Sequence, residues 1–163
     1  MNKTSKRLGL LLLLGTMVIS VRGASAQSVG GHVGVAVPLV TVGHGQTDVR
    51  KDTIIVVPIG IGIKLTDSLV FDFETAVVSP ISPVGANKLI VDPGLVYNWG
   101  SVATGLRLAF QLGQTTNVGM IPLVNVPLVD LGRATWFLEA AFPTFYESKH
   151  VSFTAVLHSG FGF

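Results

Sequence analysis

Glu74, Asp92, Arg107 and Glu139 are the residues best placed by type to do chemistry in this chain. Three carboxylates and one guanidinium, in a sequence with only 12% charged residues, are the components of a charge-assisted hydrogen-bond network. His32 and His158 come next, because two imidazoles can hold a metal ion. Metal sites usually take three or four ligands, and no third is evident, so a hydrogen-bonded polar pair is expected and no metal. His150-Val151-Ser152 sets an imidazole two residues from a hydroxyl, but no acid lies downstream to support it, and a nucleophile without base support is inert. Cysteine is absent, which excludes disulfides, thiolate metal sites and cysteine nucleophiles. The glycines alternate along extended segments and do not open a helix, so no phosphate-binding loop is encoded. No enzyme activity and no cofactor are expected.

Those groups need walls to hold them. Hydrophobic residues make up 48% of the 163-residue chain, which excludes a disordered polymer. The N-terminus is read as a targeting segment. Lys3, Lys6 and Arg7 precede an apolar run, Leu8 to Val21, and Ala24-Ser25-Ala26 gives a small-x-small cleavage pattern. Residues 1–26 are therefore expected to be a cleaved secretory signal peptide, and 27–163 a single domain. Removing Lys3, Lys6, Arg7 and Arg22 leaves seven basic and nine acidic residues, so the formal charge of +2 becomes a small negative one. A basic patch for nucleic acid is not expected, and no later apolar run reaches the ~18 residues of a spanning helix.

From residue 31 onward the chain alternates with a period of two, the mark of half-buried strands. Eight segments are predicted: 31–41, 53–64, 69–79, 89–99, 102–112, 118–129, 134–144 and 151–163. Thr53–Lys64 shows the pattern most plainly, with Ile55, Val57, Ile59, Ile61 and Ile63 on one face and Pro58, Gly60, Gly62 and Lys64 on the other. Short turns are expected at Thr66-Asp67-Ser68, Trp99-Gly100 and Leu131-Gly132-Arg133. Longer loops fall at 42–52, 80–88, 113–117 and 145–150. Short and long connections alternate, which is the wiring of an outer-membrane barrel.

Alternation alone does not say which face is outside. Lys64, Asp72, Glu74, Asp92, Arg107 and Glu139 all lie opposite the large aliphatics, on a face otherwise rich in Gly, Ala, Ser and Thr. Small residues suit a narrow lumen and make a poor soluble surface. Aromatics gather toward strand ends: Tyr97, Trp99, Trp136, Phe161 and Phe163 on the short-turn side, and Phe110, Phe142, Phe145 and Tyr146 on the loop side. Two girdles of rings are expected where strands cross the lipid–water boundary. The Trp99-Gly100 turn, with Asn98 opposite Ser101, sets Asp92 directly across from Arg107. Glu74, Asp92, Arg107 and Glu139 then share one mid-height layer, a lumen polar network.

The closing segment His158-Ser159-Gly160-Phe161-Gly162-Phe163 resembles the C-terminal signal of bacterial outer-membrane barrels, with a terminal Phe and a second aromatic two residues earlier. In size and wiring, residues 27–163 are similar to the small eight-stranded OmpA/OmpX-type barrels. The resemblance implies that Phe161 and Phe163 form an assembly signal. The implied partners are the barrel-assembly machinery and periplasmic chaperones during biogenesis, then outer-membrane lipid. His150-Val151-Ser152 resembles the His-x-Ser of outer-membrane lipid A deacylases, but Phe153 stands where that motif continues with Asn. Pro38, Pro58, Pro93, Pro122 and Pro127 depart from an ideal barrel. Each removes a ladder donor and is expected at a local bulge; lateral openings that admit a lipid, as in lipid-modifying small barrels, are the other reading.

The sequence therefore predicts an all-β, eight-stranded antiparallel up-and-down transmembrane β-barrel, monomeric and located in the cell outer membrane. Its expected role is non-enzymatic: structural, surface-interacting, or restricted small-solute passage. A soluble periplasmic lipocalin-like barrel that binds an apolar ligand is the alternative, followed by a lipid-modifying outer-membrane enzyme.

Overall fold

A computed structural model describes residues 28–49, 52–113, 115–147 and 150–163; the expected signal peptide, 1–26, lies outside them. The strands are β1 (Val29–Gly43), β2 (Gln46–Val49), β3 (Thr53–Lys64), β4 (Leu69–Ser82), β5 (Lys88–Asn98), β6 (Ala103–Leu112), β7 (Asn117–Asp130), β8 (Thr135–Ala141), β9 (Thr144–Glu147) and β10 (His150–Gly162). Eight of them, β1, β3, β4, β5, β6, β7, β8 and β10, pair antiparallel in chain order. β10 returns to β1 from His32↔Gly162 to Val42↔Phe153. The fold is a closed eight-stranded up-and-down barrel of the transmembrane type. Closure matters because it leaves no unpaired strand edge along the wall. Phe163 completes the seam: its N–H donates to Gly31 O at 2.9 Å, and Gly31 N–H donates to its carbonyl at 2.7 Å.

Local sequence explains the turns. Asn98 Oδ1 accepts the Gly100 N–H and Asp130 Oδ1 accepts the Gly132 N–H, both at 2.7 Å. Each is a side chain capping the backbone two residues on, as Asn and Asp do in turns. Gly100 and Gly132 supply the positive φ values of 102° and 84° that this geometry requires. The Trp99 N–H donates to Val102 O at 2.8 Å, so Gly100 and Ser101 form the tip. The expected tip, Trp99-Gly100, lay one residue earlier in the chain. The two-residue difference in pairing moves Asn98 opposite Ala103 and Gly94 opposite Arg107.

Only two of the five in-strand prolines sit at the bulges expected for them: Pro58, Pro93 and Pro122 pair with Ala76, Phe73 and Leu106 without a shift of register. Register shifts occur between Pro38 and Val40 on β1 and between Pro127 and Val129 on β7. Each bulge adds one residue, Leu39 or Leu128, and reverses the phase beyond it. Val40 and Val42 therefore take the outward face expected for Leu39, and Thr41 faces Thr154, with their hydroxyls 3.3 Å apart. Pro143 divides the seventh predicted strand into β8 and β9. The ladder survives the break, because Phe142 N–H donates to Pro122 O and Thr154 N–H to Pro143 O, each at 2.9 Å. The predicted 42–52 loop folds partly as β2, which forms a hairpin on β1 through Val40↔Val49 to Gly43↔Gln46. Its two turn residues, His44 and Gly45, both have positive φ, the mark of the tight hairpin turn that matches strand twist.

The faces separate by polarity. Ile59 is 54% and Leu108 56% exposed on the outside, while Asp92 is 0% and Arg107 3% exposed within. Exposure of so many large aliphatics over one continuous belt is untenable in water. The interior has two parts. Toward the loop end, Ile90, Ala109, Ile121, Leu123 and Phe145 pack into an apolar core. Phe145 thus leaves the loop-side girdle expected for it: it keeps the inward phase of Phe137, Glu139 and Ala141 across the β8–β9 break. Toward the short-turn end the lumen is polar.

Candidate functional site: the lumen polar layer

Strand register brings the charged residues together in three inward rows. Gly60 pairs with His32 on one side and Glu74 on the other, and Glu74 pairs with Asp92. Gly94 pairs with Asp72 and with Arg107. Glu139 pairs with Asn125 and with His158. Opposite residues in a sheet lie about 5 Å apart, so a side chain can touch a residue two strands away only if the residue between leaves room.

Glycine leaves that room. Arg107 reaches across Gly94 to Asp72, where Nε and Nη2 both meet Oδ2 at 2.7 Å. A Cβ at position 94 would collide with Arg107 Cα and Leu106 O. In the same way His32 reaches across Gly60, and its Nε2 lies 2.8 Å from Glu74 Oε2. A Cβ at position 60 would overlap the imidazole. The remaining guanidinium nitrogen, Nη1, lies 3.3 Å from Glu74, 3.4 Å from Glu139 and 3.7 Å from Asp92. Glu139 accepts from Asn125 Nδ2 at 3.2 Å, and its other oxygen is 3.5 Å from His158 Nδ1.

The structure thus brings Glu74, Asp92, Arg107 and Glu139 into one layer, but not through the predicted Asp92–Arg107 cross-strand pair. Arg107's short contacts go to Asp72, a residue that reasoning from adjacent pairs left out of the network. The signal was present: inward glycines at 60 and 94 flank the charges. His32 and His158 also join the layer. Their rings are 6.4 Å apart, and both pack edge-on against inward-facing Phe137, at 6.3 and 5.0 Å. They bond to carboxylates and not to each other. His150 sits apart at the loop rim, its ring 4.7 Å from His44.

Four carboxylates therefore surround one guanidinium. Neither oxygen of Asp92 has a hydrogen-bond partner among the described residues, and neither does His158 Nε2. A buried charge without partners is costly. Two cavities flank the layer. A vestibule of about 390 Å³ lies on the short-turn side, bordered by His32, Lys64, Asp72, Asn98 and Arg107. A smaller cavity of about 70 Å³ lies on the loop side, against Glu74, Asp92, Arg107, Glu139, His158 and apolar residues such as Ile90 and Ile121. The layer separates them, and the apolar core fills the barrel beyond.

Around the outside, each indole has a polar anchor. Trp99 Nε1 donates to Thr104 Oγ1 at 2.9 Å and Trp136 Nε1 to Ser159 Oγ at 2.8 Å. Tyr97 and Trp99 pack with centroids 4.5 Å apart and their planes tilted by 55°. Phe161 and Phe163 are exposed on the same side.

No protein-family model and no curated protein matches the chain. Two solved structures share its shape. One is a de novo designed transmembrane β-barrel, at 10% identity and a TM-score of 0.46, covering 81% of this chain and 94% of that one. The other is Ail, the attachment invasion locus protein of Yersinia pestis, solved with the heparin analogue sucrose octasulfate, at 9% identity and a TM-score of 0.48, covering 84% of this chain and 99% of that one. Both are likenesses of fold.

Proposed function

We propose that the chain is an integral outer-membrane protein whose closed, side-chain-filled barrel serves the envelope structurally and presents its loops at the surface. One observation carries this reading: most of the large aliphatics point outward around the barrel while Asp72, Glu74, Asp92, Arg107 and Glu139 are buried within. Hydrocarbon is the solvent that stabilises such an inside-out arrangement, and a closed ladder is what allows a sheet to enter it. The indoles, each with an apolar body and a hydrogen-bonded N–H, suit the lipid–water boundary.

The filled lumen supports the structural branch of the expected roles over solute passage, since the apolar core at Ile90, Ile121, Leu123 and Phe145 occupies the route beyond the polar layer. The exposed aliphatic exterior weighs against a soluble lipocalin-like barrel, which needs its apolar face inside. Phe161 and Phe163, on the closing strand, are proposed as the assembly signal read during biogenesis. Cell fractionation with unheated gel electrophoresis tests the reading. The protein should stay in the outer-membrane fraction and change mobility on heating; recovery in a detergent-free periplasmic wash would overturn it.

A further inference from the structure

We propose that the lumen binds one divalent transition-metal ion, of the zinc type, between Glu74, Glu139 and His158, with Asp92 as a fourth donor. The sequence alone gave the histidines no third ligand. The register supplies it, because β4 and β8 deliver Glu74 and Glu139 to the same layer as His158.

Geometry comes first. One donor atom from each of Glu74, Glu139 and His158 lies within 4.8 Å of the others, and all three residues are buried. Donors held tetrahedrally at ~2.0–2.3 Å from a common ion lie about 3.3–3.8 Å apart, so the side chains must close in by up to about 1 Å to take the ion. The second observation is independent of the cluster: Asp92 is fully buried with neither oxygen hydrogen-bonded among the described residues, and His158 Nε2 has no hydrogen bond there either. Both residues border the 70 Å³ cavity, which has room for about two waters at ~30 Å³ each, or for an ion and one water. The third is charge. Four carboxylates face one guanidinium, and a divalent ion supplies positive charge where it is missing.

Arg107 does not block the site. Its Nε and Nη2 are fixed on Asp72, and only Nη1 looks toward Glu74, Glu139 and Asp92, at 3.3–3.7 Å. An ion would take over these long contacts and leave the short ones intact. The carboxylates are also oriented from behind, Glu74 by His32 and Glu139 by Asn125, the outer-shell support that metal ligands use. Glu139 and Arg107 border both cavities, so an ion entering by the vestibule reaches the layer directly. Carboxylates with an imidazole suit zinc or manganese; calcium favours six to eight oxygens.

The test uses untagged, folded protein in detergent micelles, stripped with chelator and titrated with Zn²⁺. One ion should bind per chain, with X-ray absorption showing one imidazole nitrogen and the rest oxygens. His158→Gln and Asp92→Asn, checked for folding by heat-shifted gel mobility, should weaken binding about 10–100-fold. His44→Gln and His150→Gln, which remove the imidazole pair at the loop rim, should leave it unchanged. Absence of stoichiometric binding would overturn the proposal. So would binding that survives His158→Gln and Asp92→Asn, or a spectrum with two imidazoles. If His158→Gln fails to fold, the spectrum of the parent protein still decides.

Discussion

Replacing Asp72 and Asp92 by asparagine, each alone and with Arg107→Met, separates the observed ion pairing from the pairing that strand adjacency predicts. Asp72 Oδ2 accepts a charge-assisted hydrogen bond from Arg107 Nε at 2.7 Å and pairs with Nη2 at the same distance. Hydrogen bonds to charged groups contribute about 1.5–3 kcal/mol, and residues in contact couple by about 0.5–3 kcal/mol, so the Asp72–Arg107 coupling should be near ~2–3 kcal/mol at the upper end of that range. Asp92 sees Arg107 only through Nη1 at 3.7 Å and accepts no hydrogen bond. Its coupling should be about 1 kcal/mol or less. The single substitutions should differ in sign as well. Arg107→Met strands four buried carboxylates and should cost about 3–5 kcal/mol. Asp72→Asn weakens the short bonds and is destabilising. Asp92→Asn removes an unpartnered charge and should be neutral or stabilising. Urea unfolding in lipid vesicles with chelator present, followed by Trp99 and Trp136 fluorescence, measures all of these. An Asp92–Arg107 coupling equal to or above that of Asp72–Arg107 would refute the assignment.

Other outcomes follow from the same geometry. Gly94→Ala should cost about 1–3 kcal/mol by overpacking, because its Cβ meets backbone at Leu106 and Arg107. Gly100→Ala, with open space around its Cβ and only its positive φ to strain, should cost about 1 kcal/mol; the same urea titration ranks the two. Leu108→Arg, in the middle of the outward belt, should destabilise by about 2–4 kcal/mol in vesicles, and Leu65→Arg at the turn end by about 0–1 kcal/mol. Trp136→Phe should lose about 1 kcal/mol with the hydrogen bond to Ser159, and in the parent protein lipids brominated near the headgroup should quench Trp99 and Trp136 more than lipids brominated deep in the chain.

The strands were legible wherever alternation ran unbroken. Ile55 to Ile63 and Leu106 to Phe110 fix both element and face, because a period of two leaves one consistent choice. Register was less legible. The Asn98-Trp99-Gly100 turn differs from the predicted tip by one residue, yet that moves Arg107 from Asp92 to Gly94. Facing is preserved, since the pairing changes by two residues, which explains how the right layer emerged from the wrong pair. Bulges were the other blind spot. Pro38 and Pro127 announce a missing donor, but not which neighbour is looped out, so the reversal of phase beyond Leu39 and Leu128 was lost. Phe145 was misplaced for another reason: its position near a strand end suggested a girdle, while the alternation of Glu139 and Ala141 continued through Pro143 already set it inward. Asp72 escaped because its partner lies two strands away, over a glycine whose meaning depends on register.

The central claim is that the aliphatic face meets hydrocarbon. The chain has no cysteine, so single cysteines at Ile59, Leu108 and Leu138 can each carry a nitroxide in vesicles, with one at Ala109 for the interior. Power-saturation measurements with oxygen and with a water-soluble nickel complex then report each site's solvent. The outward three should be reached by oxygen and shielded from nickel, as in lipid, and Ala109 should be poorly reached by both. Nickel access at Ile59, Leu108 and Leu138 equal to that at a soluble surface would contradict the account.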